Sequence, residues 1–165
     1  WLVDWLDGRP PSNVWMGSTA VNQPEFDRDF PKLQRVPAAV RFLSVEPMLG
    51  RIFTRNNLPD WVIVGGESGN GARPCHTDWI ANIVLQCSSA GVPCFVKQLG
   101  AHVLSRNDTG FEGDTPKSWP MDTRTGESEA YQGAPLRVYL RDRKGGNPAE
   151  WPQDINVREF PTVTA

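Results

Sequence analysis

Four stretches of this sequence end in residues that can do polar chemistry. The first closes on Gly17-Ser18-Thr19, with Asn22 just beyond, and the second on Ser44-Val45-Glu46-Pro47. The third closes on Gly65-Gly66-Glu67-Ser68-Gly69 and the fourth on Lys97-Gln98. General acid–base catalysis needs one group to give a proton and another to take one, and two carboxylates can share that work. Glu46 and Glu67 are the candidates for the pair, and Lys97 is the cation that would hold an anionic group beside them. Gly65 and Gly66 let a ligand come against bare backbone, with Glu67 and Ser68 alongside to accept or donate hydrogen bonds. Ser18, Asn22, Arg73 and Gln98 complete the set of substrate-contacting candidates, Arg73 by gripping a carboxylate or phosphate. A plainer reading stands beside this one: Glu46 or Glu67 simply pairs with Lys97, and Arg73 is a solvated surface arginine.

Other constellations are weaker. The segment Gly65–Gly71, GGESGNG, lacks the Gly-Lys-Ser/Thr of a Walker A loop, and Ala72-Arg73-Pro74 follows it where a dinucleotide fingerprint needs a helix start. His76 and His102 have no His or Glu partner at helical ligand spacing, so no metal ligand is assigned. There is no G-x-S-x-G for a Ser–His–Asp triad. Cys75, Cys87 and Cys94 form neither a CxxC pair nor a zinc pattern. Cys75 beside His76 could act as a thiolate nucleophile, but no second partner is visible, and burial is the ordinary fate of a free Cys. Trp119 and Trp151 could stack bases, whereas Trp1, Trp5, Trp15, Trp61 and Trp79 fall on apolar patterns.

The elements that must position the polar ends are short β-rich runs: Asn13–Met16 into Gly17-Ser18-Thr19, then Val40–Val45, Trp61–Val64 and Cys94–Val96. Between them lie two helical patterns. Phe26, Phe30, Leu33 and Val36 make one apolar face before Pro37. Thr77 or Asp78 can cap a second helix with Trp79, Ile80, Ile83, Val84 and Cys87 on its inner face, ended by Gly91. The order β-α-β-loop-β-α-β implies parallel strands and an α/β fold, whose chemistry sits at the carboxyl ends of the strands. Residues 1–104 read as this segment and 105–135 as a loop-rich insertion, disordered or a lid. Residues 136–165 read as a short strand, Leu136–Leu140, and an extended tail from Trp151.

Composition bounds the partners. The 165 residues carry a formal net charge of −2, with 17 basic against 19 acidic side chains. A sequence-blind cationic coat for nucleic acid is not indicated by that balance, although a local basic groove stays possible. No apolar run approaches the roughly 18–20 residues of a membrane span, and WLVDWLDGRPP lacks the order of a signal peptide. The expected setting is cytoplasmic. Trp rather than Met at position 1 is expected of a processed product, an artificially trimmed chain or a fragment of a longer reading frame.

The strings SNVWMGSTAVNQ, VPAAVRFLSVEPMLG, LPDWVIVGGESGNGARP, QCSSAGVPCFVKQLG and DRKGGNPAEWP together resemble the C-terminal portion of the phage-associated gene-product 37/68 family. Members of that family look like radical-SAM enzymes. The resemblance implies part of a TIM-like (β/α) partial barrel, with about four of its roughly six parallel strands here. It also implies a [4Fe–4S] centre and S-adenosylmethionine in the full-length protein, the cluster held by three cysteines in a C-x6-C-x2-C-like arrangement. This chain has no such arrangement, so it is expected to carry only the cofactor and substrate rim and to be inactive alone. On that reading Gly65, Gly66, Glu67 and Ser68 face the cofactor, and Lys97 binds a substrate anion. The implied partners are a small polar substrate or nucleotide, and either a missing N-terminal half or self-association at two open sheet edges. Two alternatives remain: a non-catalytic nucleotide or nucleic-acid binding module, and a metal-free hydrolase or isomerase using Glu46 and Glu67.

Overall fold

The computed structural model describes residues 8, 10–55, 57–105 and 135–162. The main-sheet strands are β1 (Trp15–Thr19), β2 (Val40–Val45), β3 (Trp61–Gly65) and β5 (Cys94–Gln98). Helix α1 (Gln23–Gln34) joins β1 to β2, and α2 (Thr77–Ala90) precedes β5. Three shorter strands, β4 (Cys75–His76), β6 (Val103–Ser105) and β7 (Leu136–Val138), make a second small sheet. The molecule is mixed α/β.

The four main strands pair in the order β1-β2-β3-β5, all parallel. Each new strand is added on the same side of the last, so right-handed connections put both helices on one face. That face is the core: Leu43, Val45, Val62, Val64 and Val96 are fully buried against Phe26, Phe30 and Leu33 of α1 and Ile80, Ile83 and Cys87 of α2. Among the described residues the strands form an open sheet rather than a closed barrel.

The opposite face divides along its length. Near the strand starts, Trp61 gathers the rings of Trp15, Phe42, Phe95 and Phe160 at centroid distances of 5.9, 5.9, 6.3 and 5.4 Å. Gly17 is required there, because a Cβ would land on the Phe42 ring. Toward the strand ends the same face turns polar, with Thr19, Ser44 and Lys97.

Local chemistry sets the helix limits. The Asn22 side chain accepts from Glu25 N at 3.0 Å, while the Glu25 carboxylate accepts from Val21 N at 3.0 Å, a reciprocal cap. Helix α1 stops at Gln34, so Val36 falls beyond the apolar face that the spacing predicted. For α2 the structure moves the expected cap back to His76, which makes no side-chain capping bond. Gly91 ends it in the left-handed region, at φ 66°, with Val92 N donating to Cys87 O at 2.9 Å.

The tail expected to extend from Trp151 buries Trp151 and Ile155, turns through a short 3-10 helix at Gln153–Ile155 and bridges antiparallel to β5 at Phe95 and Arg158. One of the two edges expected to be open is thus covered by the chain itself. The expected strand Leu136–Leu140 is shorter, ending at Val138. Most of the predicted insertion, residues 106–134, and Trp119 within it, lie outside the described residues.

Candidate functional site

A cleft of about 330 Å³ opens where β2, β3 and β5 end. Ser44, Glu46 and Pro47 line one side of it, Gly66, Glu67 and Ser68 another, and Lys97 and Gln98 the third. Six sequence-predicted residues therefore meet: Glu46, Gly66, Glu67, Ser68, Lys97 and Gln98. Ser44 belongs with them, and its two-residue spacing from Glu46 on one strand face was a signal available in the sequence.

Each side chain is placed by a backbone feature. Beyond Val64 and Val96 the register shifts, so that Gly65 pairs with Gln98 and Lys97 is the extra residue of a bulge. Such a bulge re-aims the strand end, and Lys97 Nζ donates to Glu46 Oε2 at 3.2 Å. The pair is unequal: the Glu46 side chain is 17% exposed and that of Lys97 56%. Glu46 Oε1 is turned under, buried and without a hydrogen-bond partner. It lies over Gly65, where a Cβ would come within 2.5 Å of it. Gly66 passes so close to Leu99 that a Cβ would land on the Leu99 carbonyl. Gly66 N donates to Gln98 O at 2.9 Å, and Gln98 Nε2 donates to Gly66 O at 3.0 Å. The amide of Gln98 thus fixes the cleft wall.

Glu67 is committed elsewhere. Arg73 donates to its carboxylate from Nε at 2.8 Å, from a terminal nitrogen at 3.0 Å and from the backbone at 2.9 Å. The Arg73 bonds hold the Glu67 carboxyl down at about 2. A carboxylate so held is ionised at neutral pH and is a poor proton donor or acceptor there. Arg73 lies outside the cleft lining, as Glu67's partner rather than a free grip for a ligand. Gly65 supports the site from beneath. Ser18, half-buried on β1, and Asn22, the α1 cap, are not in the cleft.

The three cysteines are buried. Burial pushes the Cys75 thiol up to about 12, and the adjoining Cys87 thiol, with burial, raises that of Cys94. A nucleophilic cysteine acts as its thiolate, so buried Cys75 does not suit that role. Among the described residues no group of three or more His, Cys, Asp or Glu could hold a metal ion. Trp151 is no base-stacking platform: it is buried, its Nε1 donating to Gly145 O at 3.0 Å. No described helix is long and apolar enough to cross a membrane.

A larger groove of about 800 Å³ lies at the other end of β5, between the end of α2 and the tail. Its lining carries two carboxylates, Asp154 and Glu159, without a cation beside them, and Glu159 is already bonded to Cys94 N. The rim cleft holds the Glu46–Lys97 pair and is the stronger candidate.

The model of a protein family of unknown function, DUF5131, matches residues 2–144. The chain belongs to the DUF5131 family. No curated protein and no solved structure matches it. In this DUF5131 chain the polar groups that converge at the strand ends are those of the rim cleft.

Proposed function

We propose that the chain forms the ligand-facing rim of a radical-SAM-like (β/α) partial barrel, binding and orienting a small polar molecule without itself supplying the iron–sulfur cluster. The observation that carries this is the Glu46–Lys97 pair in a glycine-walled cleft at the carboxyl ends of three parallel strands. Strands added in sequence order, all parallel, with helices on one face, are the arrangement of a (β/α) barrel segment, and barrel enzymes work at that end. The radical-SAM assignment comes from the family resemblance.

Cys75, Cys87 and Cys94 do not fit a [4Fe–4S] centre, because among the described residues they are not gathered into a group that could hold a metal ion, and no reaction step is derived through one. The donor set of the rim does fit S-adenosylmethionine. Glu46 offers Oε2, held at present by Lys97, to an ammonium or ribose hydroxyl, Ser68 a hydroxyl, and Gly66 a bare backbone. What that cofactor brings when bound is an activated sulfonium. Glu46, Gly66 and Ser68 would bind and align it, and Lys97 would draw in an anionic group. A hydrolase or isomerase using Glu46 and Glu67 is less well supported, because Arg73 keeps Glu67 ionised.

Titration calorimetry of the chain with S-adenosylmethionine, and separately with AMP, tests the reading. Lys97→Ala should weaken whichever ligand binds by about tenfold, the scale of one charge-assisted hydrogen bond. Equal affinity in the wild type and in both Lys97→Ala and Glu46→Gln would remove the rim as the site.

A further inference from the structure

The groove at the other end of β5 has a chemistry of its own, independent of the rim cleft. We propose that it binds an aliphatic di- or polyamine, with ammonium groups on Asp154 and Glu159 and methylenes along the walls between them. Three features of the lining point to a cation. Asp154 and Glu159 both line the groove, and no basic side chain does. The end of α2 forms one wall, through Ser88 and Gly91. The last carbonyls of a helix carry partial negative charge. In α1 that charge is met by Lys32, whereas the last turn of α2 holds no basic residue. The ring of Phe160, 63% exposed, lines the same space, and an aromatic face attracts an ammonium.

The remaining walls select an organic cation. Val84, Val92, Pro93 and Val157 are apolar. A bare divalent cation asks for about six oxygen ligands, and Glu159 already gives Oε2 to Cys94 N at 3.2 Å. An alkylammonium asks for fewer acceptors, and its methylenes bury against apolar walls while the charged end stays at the carboxylate. The two carboxylates sit on separate, fixed elements. Asp154 belongs to the 3-10 turn Gln153–Ile155, which buried Ile155 anchors. Glu159 is held by its backbone, N donating to Cys94 O at 2.8 Å and O accepting from Trp61 Nε1 at 2.9 Å. A second ammonium on a flexible spacer therefore gains a second contact, and about 800 Å³ has room for the spacer.

Proton–nitrogen NMR of the whole chain, titrated with spermidine, tests this. The amides of Gly91, Val92, Glu159 and Phe160 should shift together and saturate, while those of Gly66 and Gln98 in the rim cleft stay still. Butylamine, with one charge, should bind about fivefold more weakly, the scale of one exposed ion pair. Hexane-1,6-diol, with none, should leave the groove amides unmoved. Asp154→Asn and Glu159→Gln should each weaken spermidine by about fivefold and leave butylamine less affected. Asp154 is exposed, and in Glu159→Gln the amide oxygen can still accept from Cys94 N, so circular dichroism should find both variants folded. Equal spermidine affinity in the wild type and both variants would overturn the proposal. Shifts as large beside Glu25, Asp27 and Asp29 as in the groove would also overturn it, since they report only a diffuse counterion cloud. A lysine-rich peptide that fills the groove where spermidine does not would replace the amine with a protein partner.

Discussion

Glu67 and Glu46 look alike in the sequence, each a glutamate just past a strand, and the structure gives them different work. Glu67 is tied down by Arg73, six residues away in the same loop, and its carboxyl is held at about 2 against an ordinary 4.5. Because the folded value is depressed, the pair stabilises the fold above about pH 4.5, and that contribution disappears as the pH falls toward 2. Carbon-detected NMR titration of the glutamate carboxyls should find Glu67 still ionised at pH 3 in the wild type. In Arg73→Ala its midpoint should climb back to the ordinary range. A Glu67 midpoint near 4.5 in the wild type would mean that the ion pair does not persist in solution. Glu46 keeps a different partner, Lys97, on another strand and fifty-one positions away. The sequence could show that both glutamates stood at strand ends. It could not show which cation each would find, since Arg73 and Lys97 are both within conceivable reach until the loop path and the bulge at Lys97 are known.

At the scale of elements, legibility followed repetition. Strand β2 has the bounds that its apolar run predicts, and β1, β3 and β5 differ from theirs only by a residue or two at the ends. Strands β4, β6 and β7 were missed or trimmed because two or three residues carry no period-two signal, and they exist by pairing with one another. Asn22 shows how one residue type serves two readings. An amide beyond a strand end can contact a ligand, but it is also a strong helix cap, and here the capping bond is made. Asn22→Ala should lower stability by about 1 kcal/mol, and Asn22→Ser by much less, since a serine hydroxyl can replace the cap. Chemical denaturation measures both. Ligand binding at the rim should be unchanged in either, because the Asn22 side chain is engaged at α1 and not in the cleft. A binding defect without a stability defect would return Asn22 to the site.

For the whole molecule the decisive segment is the tail, which the sequence marks only as extended from Trp151. Val157 O accepts from Val96 N at 2.8 Å, and Glu159 N donates to Cys94 O at 2.8 Å, so the tail acts as a short extra strand on the β5 edge. Trp61 Nε1 donates to Glu159 O at 2.9 Å, and Phe160 lies on both Trp61 and Phe95. Arg158 spans the rings of Phe95 and Trp151 and donates to the carbonyls of Lys97 and Gly146, both at 3.2 Å. One segment therefore closes a sheet edge, covers the aromatic end of the sheet and braces the backbone beneath Lys97. Ending the chain at Asn156 removes several hydrogen bonds worth about 1 kcal/mol each. Uncovering Phe95 and Trp61 adds an apolar term, bringing the expected loss to about 3–6 kcal/mol. The bared β5 edge would also offer unpaired N–H and C=O groups to a second chain. The shortened protein should melt at a lower temperature and sediment partly as dimers or larger species, whereas Arg158→Ala alone should destabilise without self-association because Val157 and Glu159 still pair. A shortened chain that stayed monomeric with an unchanged melting temperature would show that the tail rests on the sheet without holding it.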